Sequence, residues 1–305
     1  MSPEPTAKRG CPGGPSVPFS DDPLSDLPDV LLHAIMSFLP APQVVWTSVL
    51  SRRWRDLWRC TPFINIDERD FRITWSSHEE TWRKLEDFAT NLLLFHNNFT
   101  SLDTFRISAN TSTGNALYRR DMDRWLRRGI KYCPQVLEIL IHASPAIPFP
   151  HMGATSCRLK RLHLQRMYLD NQFAELLFSG CPVLEGLELM RCDLDFQEIK
   201  SRTLKKLVLD NCDHLNGGQV VITAPRLAHL QLSIGRGCCS NGISICETDS
   251  LVKAWIYLHC FGETFSLKHQ RRLLGNLCNV PNLELFGFET MVCIPPIHVS
   301  CIFSE

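Results

Sequence analysis

The sequence predicts an α/β protein in two parts: a short N-terminal three-helix module, and a curved repeat solenoid with a parallel β-sheet on its concave face. Two observations lead to this prediction. One short helix near the N-terminus is apolar nearly all round. Apolar hexapeptides of a single pattern then recur over residues 101–289. Lys and Arg number 32, as do Asp and Glu, so net charge favours neither nucleic acid nor a membrane surface as a partner.

The N-terminal tail and the cysteines further limit the classes of protein to which this chain can belong. Residues 1–22 are rich in Pro, Gly and Ser and lack an apolar stretch, which predicts a disordered tail and not a signal peptide. No apolar run reaches the ~18 residues that span a bilayer, so we expect no membrane insertion. The 14 cysteines are then expected to be reduced thiols in the cytoplasm or nucleus. Without a Cys-x-x-Cys pair, we expect no bound metal.

Residues 23–60 predict three short helices. The first runs from about Asp29 to Leu39, begins after Leu27-Pro28 and ends at Pro40. The second covers roughly residues 42–50, and Ser51 is expected to cap a third helix over residues 52–58. An all-round apolar first helix must be covered on both sides, either by the rest of this chain, as an ordinary core helix would be, or by another protein.

This module resembles the F-box, and in particular the plant proteins that join an F-box to leucine-rich repeats. The matching residues are Leu27-Pro28, Val30-Leu31, Ile35, Leu39-Pro40, Val49 and the run from Leu50 to Trp58, while Trp46 stands where family members often carry Arg. The resemblance implies that the module docks on a Skp-type adaptor and through it joins a cullin–RING ubiquitin ligase. By the same resemblance, the adaptor contact or its scaffold comprises Leu27, Pro28, Leu31, Leu32, Ile35, Leu39, Val49, Trp54 and Trp58.

The remainder of the chain divides into a connection, a repeat array and a tail. Residues 61–100 are expected to be a connecting helical segment, with an amphipathic helix over 79–97. Leucine-rich hexapeptides follow over residues 101–289, beginning at Leu102, Leu137, Leu159, Leu184, Leu204, Leu227, Leu251 and Leu283. Residues 290–305 show no repeat, which predicts an irregular tail and a shortened array.

The spacing of the hexapeptides indicates leucine-rich repeats. From Leu137 onward the steps are 22, 25, 20, 23, 24 and 32 residues, and the first five lie in the range of about 20–29 typical of this repeat. Extra helices near residues 116–130 and 265–277 account for the longer steps. Three residues after the last apolar position stand Asn110, Cys192 and Cys212, where the repeat calls for Asn or Cys. A different α/β fold with alternating strands is the alternative.

Strand alternation predicts which side chains face the concave surface. They would form a surface for a protein substrate, with Trp255 and Tyr257 as its anchors. Alternation turns Gly186, Val208 and Ser233 to the same face, but they are not assigned to the substrate. The residues assigned to the substrate surface are Arg161, His163, Gln165, Glu188, Met190, Lys206, Asp210, His229, Gln231, Lys253, Trp255 and Tyr257.

The sequence shows none of the common catalytic or phosphate-binding motifs. We therefore predict a non-catalytic subunit without a cofactor: the substrate-recognition adaptor of a Skp–cullin–F-box ligase, which binds the Skp adaptor and an unidentified protein target. A repeat scaffold that recruits no ligase is the alternative. A hydrolase on an α/β fold has only the strand alternation in its favour.

Overall fold

A computed structural model describes residues 27–97, 101–110, 116–142, 145–150, 158–235, 242–259, 265–288 and 300–301, the last two by their backbone only. The predicted tail at residues 1–22 lies outside this range, as does most of the segment 290–305. The helices are α1 (Asp29–Met36), α2 (Ala41–Trp46), α3 (Trp54–Leu57), α4 (His78–Phe95), α5 (Ala116–Lys131), α6 (Asn171–Gly180) and α7 (Leu267–Asn276). Single 3₁₀ turns follow α2 (Thr47–Val49), α3 (Trp58–Cys60) and the first strand (Glu68–Phe71).

The strands are short and numerous. They are β1 (Phe63–Asp67), β2 (Thr104–Ala109), β3 (Val136–Ile141), β4 (Ile147–Pro148), β5 (Arg161–Gln165), β6 (Met167–Leu169), β7 (Gly186–Met190), β8 (Asp193–Leu194), β9 (Glu198–Lys200), β10 (Lys206–Asp210), β11 (Asp213–His214), β12 (Val220–Thr223), β13 (His229–Ile234), β14 (Ile243–Cys246), β15 (Lys253–Leu258), β16 (Asn282–Phe286) and β17 (Ser300–Cys301).

The three helices of the N-terminal module form where proline and apolar spacing predict them. Pro28 precedes α1 and Pro40 precedes α2, each in an extended conformation that starts a helix. The module closes around a small core of Leu32, Met36, Val44, Trp54 and Leu57. The predicted cap at Ser51 is wrong: α3 begins only at Trp54, and its N-cap Arg53 makes no side-chain capping bond.

One large parallel sheet organises the rest of the chain. Ten strands lie in the order β1-β2-β3-β5-β7-β10-β13-β15-β16-β17, and all of the pairs are parallel. The sheet already begins at Phe63, inside the segment expected to be a helical connection. It also continues to Ser300–Cys301, inside the segment expected to be irregular. The fold is therefore α/β with one strand per repeat, as predicted.

The register corrects the reading frame of two repeats. Leu137 pairs with Leu162, and Leu283 pairs with Ala254, so both residues occupy the second apolar position of their repeat and not the first. The first positions are the buried Pro134 and Val280. With this frame the step to Leu159 is 25 residues and the step from Leu251 is 29, so every step from Pro134 onward falls in the range of about 20–29.

A second layer covers the leucine side of the sheet. Its elements include α4, α5, α6, the three-stranded sheet β9-β12-β14 and α7. Ser77 caps α4 by accepting from the Glu80 N–H (3.1 Å), and Asp170 caps α6 by accepting from the Phe173 N–H (2.7 Å). A four-stranded sheet, β4-β6-β8-β11, lines the turns that leave the large sheet. The core between the layers runs continuously from Ile64 to Phe288.

Two cysteines take the structural role that the repeat pattern predicts for them. Cys192 and Cys212 are buried at the ends of their strands. The Cys192 thiol donates to the Leu164 carbonyl (3.4 Å), and the Cys212 thiol donates to the Leu189 carbonyl (3.2 Å). Each thiol thus satisfies a backbone group of the preceding repeat.

The N-terminal module closes the first end of the sheet. Val45 and Trp58 pack from the module against the main core. The Asn97 N–H donates to the Arg59 carbonyl (2.8 Å), and the Arg59 Nε donates to the Phe95 carbonyl (3.0 Å). The module is therefore tied to the C-terminal end of α4 as well as to the sheet.

Candidate functional site

One side of α1 carries large apolar side chains that no other described part of the chain covers. Val30 is 77% exposed and Phe38, in the turn after the helix, is 87% exposed. Leu31 and Ile35 are 50% and 41% exposed. The opposite side of the helix buries Leu32 and Met36 in the module core. The helix is therefore satisfied on one side only, and the repeats do not supply the second cover that its composition demands.

A further apolar group lies at the end of α2 and in the turn that follows it. Trp46, Val49 and Leu50 are all more than half exposed. Scattered exposed apolar residues are ordinary, but this concentration between Val30 and Leu50 is typical of a surface that binds another protein. We call these seven residues the apolar surface of the module: Val30, Leu31, Ile35, Phe38, Trp46, Val49 and Leu50.

Some of the residues that the sequence assigns to adaptor binding are exposed on the module, and the others lie in or against its core. Pro28, Leu31, Ile35 and Val49 are exposed, and Leu27, Leu39 and Trp58 are half-buried against the module core. Leu32 and Trp54 lie inside that core, so of the two roles that the resemblance implies, contact or scaffold, their burial favours the scaffold role. Val30, Phe38, Trp46 and Leu50 were missing from the assignment, although the all-round apolar composition of the first helix already pointed to Val30 and Phe38.

An ion pair holds the third helix of the module to the first. The Arg53 guanidinium pairs with the Asp29 carboxylate, with Nε 3.2 Å from Oδ1. Asp29 stands in the first turn of α1, where a negative charge also faces the positive end of the helix dipole. Asp29 is exposed and Arg53 is half-buried, so solvent screens the pair and its contribution to stability is small.

The second candidate surface is the face of the large sheet that points away from the second layer, which we call the open face. All twelve residues that we predicted for the concave surface lie on it, and each is exposed or half-buried while the intervening Leu, Ile or Ala is buried. The register aligns them in rows across the strands. One such row contains His163, Glu188, Val208, Gln231 and Trp255.

Charged groups on the open face mostly neutralise one another across adjacent strands. Lys206 Nζ lies 2.7 Å from Glu188 Oε1, and Lys253 Nζ lies 2.8 Å from Glu284 Oε1. Arg106 Nε lies 3.5 Å from Glu138 Oε2. These pairs leave a polar surface with little net charge over most of its area.

Aromatic side chains gather where the open face reaches β15 and β16. The rings of Trp255 and Tyr257 stack at 5.7 Å with an interplanar angle of 15°. Phe286, one strand further, has its ring centroid 5.5 Å from that of Trp255 and 6.0 Å from that of Tyr257. All three are half-buried. We call these three residues the aromatic cluster; Phe286 was not among the predicted surface residues because the frame of its repeat was misassigned.

A hydrogen-bond network supports one side of the aromatic cluster. The Ser233 hydroxyl lies 2.7 Å from His259 Nε2, and the Asn211 amide nitrogen lies 3.3 Å from the same ring nitrogen. The His259 ring in turn contacts Tyr257, with 4.3 Å between centroids. The network therefore fixes the position of Tyr257.

No group of three or more His, Cys, Asp or Glu side chains that could hold a metal ion occurs among the described residues. His163 and His229, which occupy equivalent positions in their repeats, stand on β5 and β13 with two strands between them. His163 instead has its Nε2 3.1 Å from the Met190 sulfur.

Within the described ranges, no helix is long and apolar enough to cross a membrane.

Comparison with known families matches both parts of the chain. Residues 24–65 match the F-box domain. Residues 129–252 match the repeats described as "FBD-associated F-box protein At5g56370, LRR repeats".

Curated plant proteins are similar over most of the chain. The MEIOTIC F-BOX protein MOF of Oryza sativa subsp. japonica is 33% identical over 298 residues, covering 88% of this chain and 60% of that protein. The FBD-associated F-box protein At4g13985 of Arabidopsis thaliana is 32% identical, covering 70% of this chain and 52% of that protein. The F-box/FBD/LRR-repeat protein At5g22700 of Arabidopsis thaliana is 30% identical, covering 89% and 68% respectively.

The chain thus spans 60% of the rice relative and about half of the first Arabidopsis one. The matched regions coincide with the two structural parts, a helical module with an apolar surface and a one-strand-per-repeat sheet. The chain therefore belongs to the plant F-box/LRR-repeat proteins of the FBD-associated type.

Proposed function

We propose that this protein is a substrate-recognition adaptor of a Skp–cullin–F-box ubiquitin ligase. Its F-box binds a Skp-type adaptor through the apolar surface, and its repeats hold a target protein on the open face. The chain itself carries out no bond-making step. It raises the local concentration of the target beside the ubiquitin-conjugating enzyme, and other subunits supply the chemistry.

The observation that carries the proposal is the exposure of Leu31, Ile35 and their neighbours on α1. The rest of the chain lies directly beside the module and packs against its Val45 and Trp58, yet it leaves the apolar surface exposed. Keeping large apolar side chains in water costs about 25 cal/mol per Å², and a bound partner recovers that free energy. The F-box match supports a Skp-type adaptor as this partner.

The decisive variant carries Leu31→Asp and Ile35→Asp together. Both side chains are exposed, so the module stays folded, but two charges now stand at the centre of the surface. Because each buried interface anchor contributes ~2 kcal/mol, we expect adaptor binding to weaken by roughly a hundredfold or more. Co-purification with a Skp adaptor, followed by titration calorimetry, measures this.

The matched control is Leu94→Asp with Leu215→Asp, two exposed leucines outside the F-box. It should bind the adaptor as the unmodified chain does. Tight binding by the Leu31/Ile35 variant, or no binding by the unmodified chain, would contradict the proposal and leave a repeat scaffold that recruits no ligase. For the target, precipitation from cytoplasmic and nuclear fractions with the proteasome inhibited should capture a protein that the Leu31/Ile35 variant also captures.

A further inference from the structure

A glycine opens a notch in the first row of side chains on the open face. Gly186 pairs in register with Arg161 on one side and Lys206 on the other. A Cβ at Gly186 would lie 3.2 Å from Arg161 Cγ, so the arginine stem already leans over the position. Gly186 and Arg161 line a cavity of about 430 Å³, the notch, whose walls also include His163 and Glu188.

Positive charge is in excess around this notch. Its walls contain Lys160, Arg161, Lys205 and Lys206 together with Glu138, Glu185 and Glu188. Each of the three carboxylates forms an ion pair: Glu185 with Lys205 (2.8 Å), Glu188 with Lys206 (2.7 Å) and Glu138 with Arg106 (3.5 Å).

Two cations remain after this pairing. Lys160 and Arg161 form no ion pair with any carboxylate that the structure describes. The pKa of Glu185 is lowered by its hydrogen bond and ion pair with Lys205 and further by the charges of Lys160 and Arg161, which agrees with a positive potential at the notch. A spare guanidinium beside an open cavity is suited to an anionic group, because arginine can donate two hydrogen bonds to a carboxylate or a phosphate.

The aromatic cluster lies on the same face at a definite distance. Trp255 on β15 is three strands away from Gly186 on β7, across β10 and β13, and two residues further along its strand. With strands ~4.8 Å apart and a rise of ~3.3 Å per residue, the separation is roughly 15 Å, which four or five residues of an extended chain span.

We propose that the open face recognises an extended target segment at two points: an anionic side chain, a phosphorylated residue or a carboxylate, enters the Gly186 notch beside Arg161, and an aromatic or large apolar residue four or five positions away packs on the aromatic cluster. This proposal rests on the proposed function, since it requires the repeats to hold a target. It does not require adaptor binding, so the two can fail separately.

Three degenerate peptide libraries test the proposal on the full chain. They differ only in the fixed central residue, which is phosphoserine, aspartate or serine, and all other positions are randomised. We expect the chain to retain one or both anionic libraries over the serine library by roughly threefold, the scale of one partly exposed ion pair. Sequencing of the retained peptides should show aromatic enrichment four or five positions from the fixed residue. Preference for the phosphoserine library over the aspartate library identifies the anionic group as a phosphate. Equal retention of these two libraries identifies it as a carboxylate.

Single variants should separate the two points of contact. Arg161→Glu should abolish the preference for the anionic libraries but keep the aromatic enrichment, and Arg161→Lys should retain part of the charge preference. Trp255→Ala should abolish the aromatic enrichment but keep the preference for the anionic libraries. The matched control is Arg271→Glu, an exposed arginine of α7 in the second layer, which should leave both preferences intact.

Equal retention of the three libraries by the unmodified chain would overturn the proposal. So would an equal loss of charge preference in Arg161→Glu and Arg271→Glu, because that result indicates a general electrostatic effect. Circular dichroism of each variant shows whether the chain is folded. Co-purification of each variant with the adaptor shows whether the F-box still binds its partner.

Discussion

The apolar surface of the F-box and the open face of the sheet are both exposed, but they are built in opposite ways. The F-box has five buried residues at its core, and it leaves Val30, Phe38 and Val49 more than three-quarters exposed. The open face rests on a core that extends through every repeat, and its charges pair with their neighbours. Its aromatic cluster is half-buried.

The difference fits the two modes of binding that we propose. A surface of apolar side chains on a small module gains most of its free energy from burial, so it suits one constant partner that is bound tightly. A polar face with one aromatic cluster and one notch of excess charge gains specificity from a few positions. We therefore expect F-box variants to alter binding through the amount of apolar surface, and open-face variants to alter it through individual contacts.

The largest stability effect should come from a tryptophan beneath the sheet and not from one on the open face. Trp125 is 1% exposed, lies 5.7 Å from Trp82 between ring centroids, and donates through its Nε1 to Thr90 (3.2 Å). Trp125→Ala should lower the free energy of unfolding by about 3–5 kcal/mol. Trp255→Ala, the same change on the half-buried open face, should cost far less. Denaturant unfolding of the two variants checks this, and equal losses would mean that the aromatic cluster belongs to the core.

The second prediction concerns the core of the F-box. Trp54 is one of its five buried residues, so Trp54→Ala should cost about 3 kcal/mol or more within a module too small to absorb that loss. Adaptor binding should disappear because the module unfolds, whereas the Leu31/Ile35 double variant should lose binding while still folded. Hydrogen exchange followed by mass spectrometry distinguishes these cases: faster exchange confined to residues 27–60 is expected for Trp54→Ala alone. Fast exchange through the sheet as well would show that the two regions unfold together.

The smallest expected effect concerns the junction between the F-box and the sheet, where the free energy of unfolding should depend on pH. Burial lowers the pKa of His96 below its usual 6.5, although hydrogen bonds with the backbone of Thr61 and Asn97 act in the opposite direction. The folded protein therefore binds this proton less readily than the unfolded chain does. The contribution of His96 to stability is complete above about pH 6.5 and is lost as the pH falls toward the folded-state pKa.

We accordingly expect the free energy of unfolding to decrease between pH 7.5 and pH 5.5, and to do so less steeply in His96→Gln. Denaturant titrations at several pH values measure both slopes. Identical slopes for the two chains would assign the pH dependence to other groups.

Much of the fold is predictable because single segments carry their own signals. The apolar spacing of α4 and α5 places these helices to within a residue or two. Helix α6 was overlooked although its cap, Asp170, and its apolar Phe173 and Leu177 are visible in the sequence. The frame error at Leu137 has a different cause. Val136, Leu137, Ile139, Leu140 and Ile141 are all apolar, so the frame that starts at Leu137 fails only at its last place, His142, and the pairing with β5 decides against it.

The candidate surfaces were less predictable, because they depend on which strands become neighbours. Alternation assigned the open-face residues to one side of the sheet. It could not show that Lys206 is neutralised by Glu188, 18 residues earlier in the chain, while Arg161 has no such partner. In the F-box the limit was similar, since apolar spacing alone does not reveal that Leu32 turns inward and Leu31 outward.

The contact of Val45 and Trp58 with the main core has a consequence for experiments in cells. These side chains close the end of the hydrophobic interior beside β1, so the F-box also acts as the end cap of the repeats. A chain shortened by its F-box would expose that interior, and under the proposed function it would then fail to hold a target for reasons unrelated to the ligase. A substrate-trapping version of this protein is therefore better made with charges at Leu31 and Ile35, which leave the end cap in place.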